Sequence, residues 1–346
     1  MMNRVKGGLF IGLILIMFYW LFRGQNIGHM IDAMTKVNPI YMMIAIGCMG
    51  IFVGSEALNI KRSLRLYGYL VSWRQCLKYA LVGFFFSSVT PSASGGQPMQ
   101  LYYMHKDRIE VSHGMLALMM ELVSYQFVTV IMAVLAFLVH FSFFNETLPA
   151  VKYVLMIGIG INVSILALLL MALFSKKWLL TLIRFISTFL RKLHFKKADQ
   201  IEEKALSQCE MYQAGARVIK ANKKTMIKIL LTTCTQIIAL HSIPFWIYKA
   251  FGLTGYSLGV VISIQAVLYI TVSVVPLPGA VGASESGFMM LFSTLFPTQI
   301  IHSAMLLSRG VSFYLFVLIS GLYIAFIHSR YKKDNQTVTN INFKNA

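Results

Sequence analysis

The sequence contains a long stretch that is almost free of charge: residues 250–308 include one formally charged side chain, Glu285. The whole sequence is similar: 57% of its 346 residues are hydrophobic and 12% are charged. A soluble domain carries about 25% charged residues, and a disordered chain is low in hydrophobicity, so both classes are excluded. Long unbroken apolar runs also argue against an outer-membrane barrel. The sequence predicts an all-α integral membrane protein.

Six apolar runs have lengths close to the ~20 residues that a helix needs to cross a bilayer. They are residues 7–22, 37–60, 115–141, 153–175, 229–248 and 310–329. The first run has a basic flank but no small-residue cleavage site before Arg23, which predicts an uncleaved helix rather than a signal peptide. We therefore expect a polytopic bundle with about six full spans.

Two stretches outside these six runs are interrupted by proline and glycine. Residues 90–98 read Thr-Pro-Ser-Ala-Ser-Gly-Gly-Gln-Pro, and residues 276–282 read Pro-Leu-Pro-Gly-Ala-Val-Gly. Neither segment can continue a helix, because proline lacks the backbone donor and clashes with the preceding turn. Each stretch is therefore expected to form a broken or re-entrant hairpin.

The charge distribution predicts the orientation of these segments. The 31 basic and 12 acidic residues leave a net charge of +19, which in a membrane protein marks cytoplasmic loops and anionic headgroups rather than nucleic acid. The amino terminus and the basic segments 61–78, 176–224 and 330–333 are assigned to the cytoplasm, and the connection near Asn145 to the outside. The two hairpins then enter from opposite sides, as in an inverted-topology repeat.

The expected domain organisation is one membrane domain, residues 1–330, followed by a polar cytoplasmic tail, residues 331–346. Its halves, about 1–175 and 225–330, are joined by the basic segment 176–224. Apolar residues in that segment recur at helical spacing. This pattern fits an amphipathic helix on anionic headgroups and a cytoplasmic helix packed on its neighbours equally well.

Four ionisable side chains lie within apolar segments: Glu56, Glu121, Glu285 and Arg309. An unpaired charge at the bilayer centre costs at least ~2.5 kcal/mol, so each should face a partner or a wet cavity. The planar guanidinium of Arg309 suits a phosphodiester, and the alternative is a structural ion pair with Glu285. Glu56 and Glu121 could attract a cationic headgroup, although Glu56 could instead pair with Arg62 or Arg65.

The two proline-containing breaks add further candidates, because helix-terminal N–H groups, hydroxyls and glycines suit a phosphate oxygen. The alternative is that the breaks are only tight turns. The candidate substrate site comprises Ser92, Ser94, Gly95, Gly96, Gln97, Gly279, Gly282, Glu285, Arg309, Glu121 and Glu56. The histidines and cysteines lack metal-ligand spacing and no catalytic constellation is evident, so we expect no metal, cofactor or catalytic residue.

Residues 90–100, which end in Met-Gln, and 276–285 resemble the two signature segments of a known family. The family is the flippase-like membrane domain of lysylphosphatidylglycerol synthetases, the amino-terminal part of the bacterial multiple peptide resistance factor, which also occurs alone. The resemblance extends over about residues 5–330. Two positions depart from the family pattern: Gln97 stands where many relatives have glutamate, and Ala280 stands where a second glycine is frequent.

The resemblance implies flipping of an aminoacylated or other anionic or zwitterionic phospholipid, such as lysyl-phosphatidylglycerol, across the bacterial cytoplasmic membrane. It further implies resistance to cationic antimicrobial peptides and phospholipids as partners. The basic residues near both termini place these in the cytoplasm. Two alternatives stay open: a lysyl-tRNA-dependent phosphatidylglycerol lysyltransferase, and a membrane partner of a separate aminoacyl-lipid synthase. Residues 176–224 are too few to form the soluble synthase domain, which favours the transporter.

Overall fold

A computed structural model describes residues 34–147, 151–175 and 214–327 continuously, with isolated residues elsewhere, and every regular element in these ranges is helical. The main helices are α1 Pro39–Arg65, α2 Trp73–Val89, α3 Gly96–Lys106, α4 Val111–Val139, α5 Phe141–Thr147, α6 Val151–Phe174, α7 Lys223–Ala250, α8 Leu258–Val272, α9 Ala283–Leu291 and α10 Ile301–Arg309, and residues 214–221 are also helical.

Five of these helices can cross a membrane by length and composition: α1, α4, α6, α7 and α10 with its continuation to Ile327. The all-α polytopic fold expected from the sequence is confirmed. The first expected span at 7–22, most of the amphipathic pattern in 176–213 and the tail fall outside the described residues.

Helices α1 and α7 form an antiparallel pair. Asn38 caps the start of α1 by accepting the Ile40 N–H, and its own N–H donates to the carbonyl of Ala250 at the end of α7. Near the other end, Asn59 Nδ2 donates to Thr233 Oγ1 over 3.0 Å, and Arg62 donates to the Lys228 carbonyl over 2.8 Å. These bonds fix the register of the two helices.

The first hairpin consists of α2, a 3₁₀ turn at Pro91–Ala93 and α3. A reciprocal capping box of Ser72 and Gln75 begins α2. The two arms pack closely, since a Cβ atom at Gly96 would overlap the Ser87 hydroxyl. The second hairpin consists of α8, a 3₁₀ turn at Pro278–Ala280 and the shorter α9. Both predicted breaks are therefore present.

The two hairpin turns share one backbone geometry. Thr90 and Leu277, which precede the prolines, have φ/ψ of −111°/145° and −108°/145°. Ser92 (51°/29°) matches Gly279 (58°/15°), and the following alanines, Ala93 and Ala280, have φ of 53° and 49°. The two turns also contact each other. This match supports the predicted repeat more directly than the sequence does.

The last span differs from the expected one. Sequence reasoning began it at residue 310, after the charge of Arg309, but the helix begins at Ile301 and contains Arg309. An ion pair with Glu285 allows the guanidinium to lie inside the bundle. The helix then widens into a π-helical segment, Gly310–Tyr314, a feature that is frequent at functional sites.

Candidate functional site

A cavity of about 370 Å³ lies where the two hairpin turns meet α1, α4, α7 and α10. Its apolar lining includes Phe52, Phe84, Leu268 and Phe288. Its polar lining residues are Glu56, Ser87, Ser88, Ser92, Gln97, Gln100, Glu121, Tyr125, Gln236, Gln265, Tyr269, Ser273, Ser284, Ser308, Arg309 and Ser312. Non-helical backbone inside a membrane is tolerated where it lines a cavity, and both hairpin turns line this one.

Arg309 is held against the second hairpin turn. Its Nε donates to Glu285 Oε1 over 2.8 Å, and its Nη2 donates to the Gly279 carbonyl over 3.0 Å. The guanidinium also stacks over the Phe313 ring, 4.5 Å from the ring centroid. The ion pair expected as the alternative role is thus present, yet Arg309 still lines the cavity.

Glu285 lies behind Arg309 rather than in the cavity lining. Its Oε2 accepts the Gly282 N–H over 2.6 Å and caps α9, while its Oε1 also accepts the Tyr314 hydroxyl over 3.1 Å. The carboxylate is therefore fully occupied in fixing α9, Arg309 and the π-helical segment relative to one another.

Glu56 makes a different contact from the arginine pairing considered above. Gln100 Nε2 donates to Glu56 Oε1 over 2.7 Å and to the Tyr79 carbonyl over 3.1 Å. Arg62 instead contacts α7, through the Lys228 carbonyl and the Thr232 hydroxyl. The carboxylate of Glu56 is therefore positioned by the first hairpin and faces the cavity.

Glu121 faces the same cavity from α4. Gln236 of α7 and Glu56 of α1 line the same cavity. The hydroxyls of Tyr125 and Tyr269 lie 2.7 Å apart and form one hydrogen bond. Within the described ranges, neither Glu56 nor Glu121 forms an ion pair.

The structure brings together six of the eleven candidates around the cavity: Glu56, Ser92, Gln97, Glu121, Gly279 and Arg309. Ser94, Gly95, Gly96, Gly282 and Glu285 do not line it. The N–H of Gly95 donates to Thr90 Oγ1 and that of Gly282 to Glu285, so these two helix-start donors are not available to an anion. Gly96 serves close packing of the hairpin arms.

Sequence reasoning missed the neutral polar residues of the cavity. Gln100, Gln236, Gln265, Tyr125 and Tyr269 come from four different helices. The glutamines could have been noticed in the sequence, since they lie within otherwise apolar helices and a buried amide needs a hydrogen-bond partner. Only the fold shows that they share one cavity.

Comparison with known proteins places the chain in a family. A family model described as the lysylphosphatidylglycerol synthase TM region matches residues 7–320. The chain belongs to this family. The chain is 23% identical over 322 residues to a UPF0104 membrane protein of Archaeoglobus fulgidus, covering 88% of this chain and 93% of that protein. It is 24% identical over 316 residues to a UPF0104 membrane protein of Methanothermobacter thermautotrophicus, covering 87% and 88%.

Proposed function

We propose that this lysylphosphatidylglycerol synthase TM-region protein moves phospholipids between the two leaflets of the cell membrane. The observation that carries the proposal is the polar cavity at the meeting point of two matched hairpin turns. Discontinuous helices that meet near the bilayer midplane form the substrate sites of many transporters. The substrate here is an anionic, zwitterionic or aminoacylated phospholipid such as lysyl-phosphatidylglycerol.

The charged residues suit a headgroup rather than an acyl chain. Arg309 presents a guanidinium that the Glu285 carboxylate orients, and a guanidinium pairs well with a phosphodiester. Glu56 and Glu121 place two carboxyl groups in the same cavity, so a headgroup that carries an amine as well as a phosphate can be accommodated. Acyl chains would remain in the surrounding lipid while the headgroup crosses.

The orientation is part of the proposal. Both termini and the basic segment 176–224 lie in the cytoplasm, so the first hairpin opens to the cytoplasm and the second to the outside. Export of a lysyl-lipid to the outer leaflet would lower the attraction of cationic antimicrobial peptides, and this is the cellular role that we propose.

Reconstituted liposomes test the proposal. A membrane-impermeant amine reagent measures the appearance of lysyl-phosphatidylglycerol or phosphatidylethanolamine in the exposed leaflet over time. Arg309→Ala should abolish protein-dependent transfer, whereas Arg74→Ala, at an exposed position near the start of α2, should leave it unchanged. Equal transfer rates for wild type and Arg309→Ala would overturn the assignment of Arg309.

A further inference from the structure

A row of buried polar side chains follows the contact between α1 and α7. Asn59 Nδ2 donates to Thr233 Oγ1 over 3.0 Å, and both residues are completely buried. Ser63, also completely buried, lies one helical turn further toward the end of α1 that we assign to the cytoplasm. One turn in the opposite direction lies Glu56 on α1, with Gln236 at the corresponding position on α7, and both line the cavity. We name these five residues the inner row.

Three members of the inner row have buried polar atoms that lack a hydrogen-bond partner within the described ranges. The atoms are Asn59 Oδ1, Ser63 Oγ and Gln236 Oε1. Leaving such an atom unsatisfied costs about 1–3 kcal/mol. Native proteins satisfy buried atoms of this kind with ordered water, which typically makes about three hydrogen bonds. Water along the inner row would connect the cavity with the cytoplasmic end of α1.

A second row of polar groups continues from the cavity in the other direction, along α4 and α8. Tyr125 and Tyr269 join these helices through the 2.7 Å hydrogen bond between their hydroxyls. Thr129 follows Tyr125 by one turn and Gln265 precedes Tyr269 by one turn, and their buried Oγ1 and Oε1 atoms lack partners among the described residues. The buried His241 ring, 5.4 Å from the Tyr269 ring between centroids, has two unpartnered nitrogens there. We name these five residues the outer row.

Glu56 and Glu121 lie in the cavity, where the inner and outer rows meet. Within the part of the chain that the structure describes, neither carboxyl group forms an ion pair, since Arg309 pairs with Glu285. Carboxyl groups inside membrane helices that have hydroxyl and imidazole neighbours are typical of proton relays. The other titratable or charged side chains along the two rows or at their ends are Arg62, Tyr125, His140, His241, Tyr269 and Arg309.

We propose that protons cross the bundle along the inner and outer rows, and that Glu56 and Glu121 take them up and release them in the cavity. A proton enters through water and hydroxyl groups of one row, binds a carboxyl group and leaves through the other row. The same cavity is the one to which we assign the lipid headgroup, so proton movement and headgroup movement are coupled. Protons that flow toward the cytoplasm then drive lipid export. This coupling rests on the proposed function, whereas the proton path does not.

Proton uptake by reconstituted liposomes tests the path. The purified full-length protein is reconstituted in phosphatidylglycerol and phosphatidylethanolamine around a trapped pH-sensitive dye, and valinomycin sets a potassium diffusion potential that is negative inside. Wild-type vesicles should acidify faster than protein-free vesicles. Glu56→Gln and Glu121→Gln should each reduce acidification to the protein-free rate, at equal amounts of protein that elutes as a single folded species.

Substitutions outside the cavity separate proton conduction from headgroup binding. Ser63→Ala and Thr129→Val each remove one buried hydroxyl, and each should slow proton uptake about tenfold, the scale of one lost hydrogen bond in the barrier. Ser164→Ala and Thr235→Val are the matched controls, because they remove exposed hydroxyls from α6 and α7 and should leave the rate unchanged. Wild-type rates in both glutamate variants, or equal slowing in the controls, would overturn the path.

An imposed pH gradient tests the coupling in the same vesicles. One exchanged proton per lipid supplies about 1.4 kcal/mol per pH unit, so a gradient of one unit should enrich labelled lipid about tenfold in the leaflet that faces the acidic side. An unchanged leaflet ratio would overturn the coupling.

The inference and the proposed function fail in different ways. Leaflet transfer by the wild-type protein without proton uptake would show that the proton path is wrong, and the transport function would stand. Proton uptake that depends on Glu56, Glu121, Ser63 and Thr129, in vesicles that show no leaflet transfer, would confirm the path and overturn the transport function.

Discussion

Glu285 is the residue on which the geometry of the second half depends. Its carboxylate caps α9 through Gly282, pairs with Arg309 and accepts from Tyr314. The Glu285 and Arg309 side chains are only 7% and 16% exposed. Removing one member of a buried pair leaves the other charge uncompensated, which costs more than the pair contributes.

Glu285→Ala should therefore lower the free energy of unfolding by about 3 kcal/mol. The exposed Glu110 provides the matched control, since surface substitutions usually change stability by less than ~0.5 kcal/mol. Thermal unfolding in detergent measures both variants, and equal melting temperatures for Glu285→Ala and Glu110→Ala would contradict this role.

Part of the site could be predicted from single residues, because charged side chains are rare in the apolar segments. Glu285 and Arg309 stand out because each is isolated in apolar sequence, and their pairing was among the expected roles. Gln236 and Gln265 carry no formal charge, and nothing in their local sequence distinguishes a cavity-facing amide from one buried between helices. Their importance follows from positions on α7 and α8 that only the bundle brings together.

At the level of elements, the hairpins depend on turns whose residues adopt left-handed backbone. Ser92, Ala93 and Ala280 all have φ near 50°, a region that costs an L-residue about 1–2 kcal/mol. Proline and glycine predicted where the helices break. The left-handed backbone shared by the two turns could not be predicted, because serine and alanine seldom adopt it. Backbone strain of this kind clusters at functional sites.

Close packing of the first hairpin depends on Gly96. A Cβ atom there would overlap the Ser87 hydroxyl and lie 3.0 Å from the Gly83 carbonyl, so Gly96→Ala should destabilise the protein by about 1–3 kcal/mol. Gly50→Ala, in α1 with open space around it, should be neutral or stabilising. Thermal unfolding distinguishes them, and similar melting temperatures would contradict close packing of the arms.

The second hairpin turn packs against the π-helical segment through Gly279 and Phe313. A Cβ atom at Gly279 would overlap the Phe313 ring, which itself stacks on Arg309. Gly279→Ala should therefore be destabilising, and Phe313→Ala should relieve part of the cost. A double-mutant cycle should yield a coupling free energy of about 1 kcal/mol, and additive effects would contradict the contact.

For the whole molecule, the distribution of basic residues predicts the orientation of the helical bundle in the membrane. The span order was largely predictable, because charged residues bound most apolar runs. Arg309 is an exception to the rule that charged residues bound the spans. Its charge predicted a helix start at residue 310, but its ion pair with Glu285 allows it to lie within a longer helix. The inverted arrangement remains a prediction from charge placement, and the contact between the two matched turns is consistent with it.

Accessibility of single cysteines tests this orientation. After replacement of Cys48, Cys76, Cys209 and Cys234, Leu70→Cys should react with an impermeant maleimide only from the cytoplasmic side, and Thr254→Cys only from outside. Both positions are exposed in the connections that lead into the hairpins. Labelling of both cysteines from the same side would contradict the inverted topology.

Leaflet transfer by the wild-type protein is the most direct test of the proposed transport function. Proteoliposomes and protein-free liposomes of the same lipid composition are compared by the rate at which labelled phospholipid reaches the opposite leaflet. Protein-dependent transfer should exceed the spontaneous rate and should be lost in Arg309→Ala. Equal rates with and without correctly folded protein, for lysyl-phosphatidylglycerol and for phosphatidylethanolamine, would contradict it.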